Sequence, residues 1–121
     1  AYGVRAALDS YGSLDGGNVP MAASGKRESL MREAKAAGRR IALLNSSSLT
    51  EPGTGAFLAS VKDRDDENAI ALQILDARPD IALGGGEGFF LPKGATGRHG
   101  PGLREDGRNL VREARAAGYT V

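Results

Sequence analysis

The stretch L-M-R-E-A-K-A-A-G-R-R-I-A-L-L-N, residues 30–45, decides the fold of this chain. Apolar residues recur at helical spacing up to Ala37, and Gly38 stands where a helix ends in the left-handed conformation. Residues 41–45 then form a short apolar run without polar alternation. Such a run is typical of a strand buried on both faces, as in a parallel sheet. The stretch therefore predicts a helix followed by a parallel strand.

A second copy of this pattern lies near the end of the chain. Residues 111–118 read V-R-E-A-R-A-A-G and nearly repeat M-R-E-A-K-A-A-G at 31–38, and strand-like residues follow each copy. Between the two, residues 81–83 form another short apolar run that ends in three glycines. Helices that alternate with buried strands predict an α/β fold, part of a mostly parallel sheet flanked by helices.

Gly, Pro and helix-capping residues predict where the helices and strands begin and end. We predict a helix capped by Ser24, a strand at 41–45, helices at 54–62 and 66–77, a strand at 81–83, a long loop at 87–108, a helix at 107–117 and a strand beginning at 119–121. Residues 1–23 are loosely patterned. Only six of 121 residues are aromatic, so the core is thin. We expect residues 1–121 to be one incomplete segment of a larger α/β domain.

Composition excludes several classes of protein. The 16 basic and 15 acidic residues are interspersed, which argues against a nucleic-acid surface. The apolar runs are far too short to span a membrane, so no membrane partner is expected. The absence of cysteine removes disulfides, thiolate zinc sites and cysteine nucleophiles.

Three local features have both a chemical and an ordinary interpretation. Gly84–Gly86 follows a strand as a phosphate-binding loop would, but no GxGxxG or Walker pattern is present, which favours a simple turn. The acidic run at 63–67 lacks the spacing of an EF-hand and indicates a solvated helix start, capped by Asp65 or Asp66. His99 lies in a Gly-rich loop without a second ligand at metal-binding spacing.

The polar loop at 46–53 is the fourth candidate. It leaves the carboxyl end of a predicted parallel strand, which is where ligands bind in open α/β sheets. Its hydroxyl groups and the carboxylate of Glu51 suit a hard cation such as magnesium. The alternative is an ordinary cap-and-turn segment rich in Ser and Thr, and the residues alone leave both interpretations open.

Five segments in order resemble the alkaline phosphatases. They are residues 30–38, 41–45 and 50–59, then P-D-I-A-L-G-G-G at 79–86 and F-F-L-P at 89–92, and the likeness continues through 106–119. In that family a helix and a buried strand lead to a threonine-rich turn that opens a helix. The resemblance spans about residues 26–121 and implies hydrolysis of phosphomonoesters through a phosphoserine intermediate, with zinc and magnesium as cofactors.

The resemblance assigns roles to particular positions. The family's metal-proximal Asp or His falls on Glu51, and its phosphate-binding arginine falls on Arg64. The hydroxyl residue that ligates magnesium in the family is Gly53 here, and the adjacent Thr54 is the nearest substitute. These assignments require Glu51 and Arg64 to reach the same phosphate-sized space at the carboxyl edge of the sheet.

Other parts of the family's machinery have no counterpart in this sequence. The segment Asp9-Ser10-Tyr11 resembles the nucleophile motif only superficially, so we expect the nucleophile upstream of Ala1 and the zinc ligands beyond Val121. The isolated chain is therefore expected not to hydrolyse phosphate esters. The resemblance also implies a periplasmic or secreted location and is compatible with a homodimer. Two alternatives stay open, namely a non-catalytic small-molecule or nucleotide-binding module and a degenerate phosphatase homologue.

Overall fold

A computed structural model describes residues 13–14, 17–18 and 28–121. The strands are β1 (Ser13–Leu14), β2 (Gly17–Asn18), β3 (Ala42–Ser48) and β4 (Ile81–Gly85). The helices are α1 (Leu30–Ala36), α2 (Pro52–Gly55), α3 (Glu67–Asp76) and α4 (Leu110–Ala116), and a 3-10 helix spans Glu87–Phe90. The predicted cap Ser24 and the segment Asp9–Tyr11 lie outside the described residues.

The two longer strands form a parallel pair, as predicted. Ala42 pairs with Ile81 and Leu44 with Leu83, and the register then changes so that Ser48 pairs with Gly85. Helix α3 lies between the two strands in the chain, which makes a β–α–β arrangement. The α/β fold class is therefore confirmed. The short strands β1 and β2 form a separate antiparallel pair.

Helix ends follow the local sequence signals. Ser29, and not the predicted Ser24, caps α1 by accepting a hydrogen bond from the Arg32 backbone N–H at 3.2 Å. Gly38 and Gly118, which follow α1 and α4, have φ angles of 76° and 95°. The predicted left-handed glycines are thus confirmed, and each lets its helix stop without steric cost.

The core lies on one side of the parallel pair. Ile41 and Leu43 pack with Ile70 and Ile74 of α3, and all four are buried. The other side carries exposed apolar residues, since Leu44 is 65% exposed and Leu83 is 59% exposed. The prediction that both strands are buried on both faces is therefore wrong for this chain, because Leu43 is the only buried residue of β3 and all five residues of β4 are exposed.

The predicted helix at 54–62 is wrong. Only α2 forms, and the chain then continues through a turn into a non-helical segment, residues 58–61. Two of the four residues of α2 are glycine, which loses more backbone entropy in a helix than any other residue. In addition, Leu58, Ala59 and Val61 are all buried in the core. Tertiary packing thus overrides the weak helical preference here.

The predicted loop at 87–108 contains more structure than expected. The 3-10 helix opens it, with Gly86 before it at a φ of 84°. Residues 91–106 then fold back on themselves, because Pro92 pairs with Arg104 and Thr96 pairs with Pro101. The predicted terminal helix is confirmed in the shorter form α4, whereas residues 119–121 form no strand.

In the described part of the chain, no helix has the length and apolar character that crossing a membrane requires.

Candidate functional site

The loop after β3 is held in shape by the side chain of Asn45. Its amide oxygen accepts a hydrogen bond from the Ser47 backbone N–H at 3.0 Å, and its amide nitrogen donates to the Ser48 carbonyl at 2.8 Å. The same nitrogen donates to the Thr54 hydroxyl at 3.1 Å. The change of register within β3 and the start of α2 are therefore linked through one residue.

Glu51 stands at the N-cap position of α2 at the carboxyl end of the sheet. Its carbonyl oxygen accepts hydrogen bonds from the backbone N–H groups of Thr54 at 3.0 Å and Gly55 at 2.7 Å. The side chain makes no capping hydrogen bond and Glu51 is exposed. The main chain is thus fixed, and the carboxylate extends to solvent.

Thr54 and Gly53 differ in what surrounds them. The Thr54 side chain is buried, and its hydroxyl donates to the Leu49 carbonyl at 2.8 Å while it accepts from Asn45. This hydroxyl therefore closes the loop in the described structure. Gly53 is exposed, and a Cβ atom at that position would meet no atom within 4 Å. A side chain at 53 would project into open space.

Arg64 lies on a turn between the core segment 58–61 and α3. Asp63 fixes this turn, because its carboxylate accepts from the Asp65 backbone N–H at 2.9 Å and its carbonyl accepts from that of Asp66 at 3.2 Å. The Arg64 side chain is 43% exposed, and its Nε lies 3.8 Å from an Asp65 carboxylate oxygen. A contact this long and this exposed leaves the guanidinium accessible to a ligand.

Asp66 and Glu67 show that the acidic run is not uniformly solvated. Asp66 caps α3 by accepting from the Ala69 backbone N–H at 3.0 Å, as one of the two predicted caps. Glu67 is partly buried, and its Oε2 is one of two buried side-chain atoms in the described residues that have no hydrogen-bond partner. Residues 63–66 are exposed, as predicted for most of this run, and Glu67 is the exception.

The charges of Glu51 and of Asp65, the residue after Arg64, both act on Glu67. Burial raises the pKa of its carboxyl group, and the negative charges of Glu51 and Asp65 raise it further. The loop of Glu51 and the turn of Arg64 therefore lie near the same carboxyl group. Sequence analysis did not single out Glu67, since nothing in its local pattern distinguishes it from the exposed acidic residues beside it.

The described residues do not by themselves fit a metal site. Among them, no three His, Asp or Glu side chains come together in a group that could hold a metal ion. His99 is exposed on the loop at 97–100, where its backbone N–H donates to Glu87 at 2.7 Å. Glu51 could supply one oxygen ligand, so a metal at this edge would need further ligands.

The three glycines at the end of β4 pack against the loop after β3. A Cβ atom on Gly84 would lie 2.9 Å from the Leu49 side chain, and one on Gly85 would lie 3.2 Å from the Ser47 carbonyl oxygen. At Gly86 the added atom would overlap the Ser48 hydroxyl. Protein atoms thus account for these glycines, which gives no support to a nucleotide-binding loop.

Comparison with known proteins completes the assignment. No curated protein matches the chain. The family model described as alkaline phosphatase matches residues 3–121, which is nearly the whole sequence. The chain belongs to the alkaline phosphatase family.

Proposed function

We propose that this chain forms part of a metal-dependent phosphomonoester hydrolase, in which Arg64 binds the phosphoryl group and Glu51 lies beside a metal ion. One observation carries the proposal: Arg64 is partly exposed on a fixed turn, and its neighbour Asp65 and Glu51, which follows the carboxyl end of a parallel strand, both act on the carboxyl group of Glu67. Family membership supports the reaction class.

The chemistry of Arg64 suits this role. A planar guanidinium can donate two parallel hydrogen bonds to phosphate oxygens, and it keeps its positive charge at any physiological pH. It can therefore bind a phosphomonoester and also stabilise the negative charge that develops as the phosphoryl group is transferred. This step needs no proton exchange with Arg64.

The remaining machinery is proposed to come from other parts of the complete protein. These parts would supply the serine nucleophile and most ligands for zinc and magnesium, so that the isolated chain is inactive. When bound, the metal ions would activate the nucleophile and stabilise the leaving oxygen. An extracytoplasmic location and a homodimer are proposed on family membership alone.

Replacing Arg64 with alanine tests the proposal. In the complete protein, Arg64→Ala should raise the KM for a phosphomonoester and weaken inhibition by inorganic phosphate, each by roughly tenfold to hundredfold, because charged hydrogen bonds to phosphate are lost. Steady-state kinetics with a chromogenic phosphate ester would measure both. Arg112→Ala, which removes the same charge from an exposed position on α4, is the matched control. Unchanged phosphate inhibition in Arg64→Ala would contradict the assignment.

Restoring a hydroxyl at position 53 tests the metal-proximal loop. Gly53→Thr should tighten magnesium binding by the complete protein by roughly tenfold, since an oxygen ligand is added where the structure leaves open space. The measurement is the magnesium concentration that gives half-maximal activity. Gly53→Val fills the same space without a ligand and serves as the control. Equal magnesium dependence in both variants would count against a metal ion beside this loop.

A degenerate homologue is the second candidate, and Gly53 is the observation that favours it, because the family has a metal-binding hydroxyl there. Wild-type activity of the complete protein decides between the two. Hydrolysis of a phosphate ester that depends on added metal would support the phosphatase, and a folded protein without this activity would support the degenerate homologue.

A further inference from the structure

Gln73 binds both backbone polar groups of Ser60. The Ser60 N–H donates to the Gln73 side-chain oxygen at 2.8 Å, and the Gln73 amide nitrogen donates to the Ser60 carbonyl at 3.0 Å. One side chain thus forms the pair of hydrogen bonds that a neighbouring strand would otherwise form. Gln73 lies on α3, so these bonds attach the segment 58–61 directly to that helix.

Arg32 attaches the same segment from the other side. Its Nε donates to the Leu58 carbonyl at 2.8 Å, and its Nη2 donates to the Gln73 carbonyl at 2.8 Å. Leu58 and Ala59 are each only 1% exposed. The start of the segment is held by backbone hydrogen bonds from Leu58 and Ala59 to the Gly55 carbonyl, at 3.1 and 2.8 Å. Two long side chains and burial set the position of the rest.

The far end of the Arg64 turn is fixed as well. Asp63 closes the turn through two hydrogen bonds, and Asp66 caps the helix that follows. Ser60 therefore fixes the chain four residues before Arg64, and Asp66 fixes it two residues after. Within the described residues, Arg64 forms an ion pair only with Asp65, at 3.8 Å, and its side chain is 43% exposed. The fixed backbone on both sides therefore sets the point from which the guanidinium extends.

We infer that Gln73 is a positioning residue for Arg64, because it holds Ser60 on α3 and so places the guanidinium where it meets a phosphoryl group. The inference rests on the proposed function of Arg64. Misplacement of a binding group by about 1 Å costs up to about a hundredfold in rate, so a residue that fixes the backbone near Arg64 affects phosphate binding without touching phosphate.

The test replaces Gln73 with methionine in the complete protein. Methionine has a similar length and cannot form either hydrogen bond to Ser60. We expect Gln73→Met to weaken inhibition by inorganic phosphate by about three- to tenfold. Gln73→Glu keeps the acceptor for the Ser60 N–H and should show a smaller loss. Leu75→Met is the control and should match wild type. Leu75 also lies on α3, but it lines the groove beside α4, and methionine has a similar volume to leucine.

A double-mutant cycle separates positioning from general stability. In an Arg64→Ala background, Gln73→Met should cause no further loss of phosphate inhibition, because the group that it positions is gone. Hydrogen exchange at the Ser60 N–H should be faster in Gln73→Met whether or not Arg64 is present.

The negative results of these experiments can be told apart. If Arg64→Ala weakens phosphate inhibition and Gln73→Met does not, the positioning role is overturned and the proposed function stands. Additive losses in the double variant also overturn the positioning role, because they show that Gln73 acts independently of Arg64. If Arg64→Ala leaves phosphate inhibition intact while Ser60 exchange is faster in Gln73→Met, the proposed function falls and the attachment of Ser60 to α3 remains.

Discussion

Replacing Arg104 with alanine should lower the free energy of unfolding by about 3–5 kcal/mol, because it removes a large buried side chain that donates to two main-chain carbonyls. Arg104 is only 1% exposed, and its guanidinium donates to the carbonyl oxygens of Asn68 and Phe89, both at 3.0 Å. Its Nε donates to Asp106 at 3.0 Å, and its Nη2 bonds the second oxygen of the same carboxylate. One side chain thus connects α3, the 3-10 helix and the loop at 91–106.

The expected loss of stability in Arg104→Ala has several sources. Alanine leaves a cavity, and it leaves the Asn68 and Phe89 carbonyls without the donor that they share. The Asp106 carboxylate also loses the hydrogen bond that is the main reason why its pKa lies below the usual value for aspartate. Unfolding in urea, followed by circular dichroism, measures the change.

Arg108→Ala is the matched control for this prediction. Arg108 also forms two hydrogen bonds to one carboxylate, at 3.1 and 2.5 Å from Glu113, but its side chain is 42% exposed. Solvent screens an exposed pair of this kind, so it contributes little to stability. Arg104 differs from Arg108 in its burial and in its hydrogen bonds to two main-chain carbonyls, so equal losses of stability in the two variants would show that the network around Arg104 contributes little.

Local patterns predicted the elements whose hydrogen bonds are local. The glycines after α1 and α4 and the apolar runs of β3 and β4 follow from rules about neighbouring residues, and the structure confirms them. Parallel pairing also followed, because alternating helices and strands leave few other arrangements.

Elements held by distant contacts could not be predicted in this way. The segment 58–61 is fixed by Arg32 and Gln73, and Arg104 bonds a carbonyl 36 positions away in the sequence. No periodicity marks these partners. A long polar side chain in the sequence looks the same whether it is solvated or buried against main-chain groups.

The prediction of the candidate site residues depended more on the family resemblance than on the chemical pattern of the residues. The residues alone left the loop of Glu51 open between a cation site and an ordinary turn, and they gave Arg64 no role. The structure adds the partly buried carboxyl of Glu67, which neighbours both Glu51 and Asp65. A pKa raised by burial arises only from the folded arrangement, so no sequence signal could have identified it.

Gly102→Ala should destabilise the protein by about 3 kcal/mol, because the backbone at that position has no room for a side chain. Its added Cβ would lie 2.8 Å from the Leu91 carbonyl oxygen and would overlap the Pro92 carbonyl oxygen. Both obstacles are main-chain atoms, which cannot rotate away as a flexible side chain can. The two halves of the loop at 91–106 must therefore separate.

This separation would also weaken the network around Arg104. The backbone N–H of Arg104 donates to the Leu91 carbonyl at 3.0 Å, and that of Lys93 donates to the Arg104 carbonyl at 2.8 Å. These two bonds join the same two halves of the loop. Thermal unfolding should show the loss in Gly102→Ala, and Gly53→Ala should leave the melting temperature nearly unchanged, since its Cβ meets no atom within 4 Å. Losses in Gly102→Ala and Arg104→Ala should be less than additive when the two are combined, because each opens the same loop. Full additivity would show that the close approach at Gly102 and the buried guanidinium stabilise separate parts of the fold.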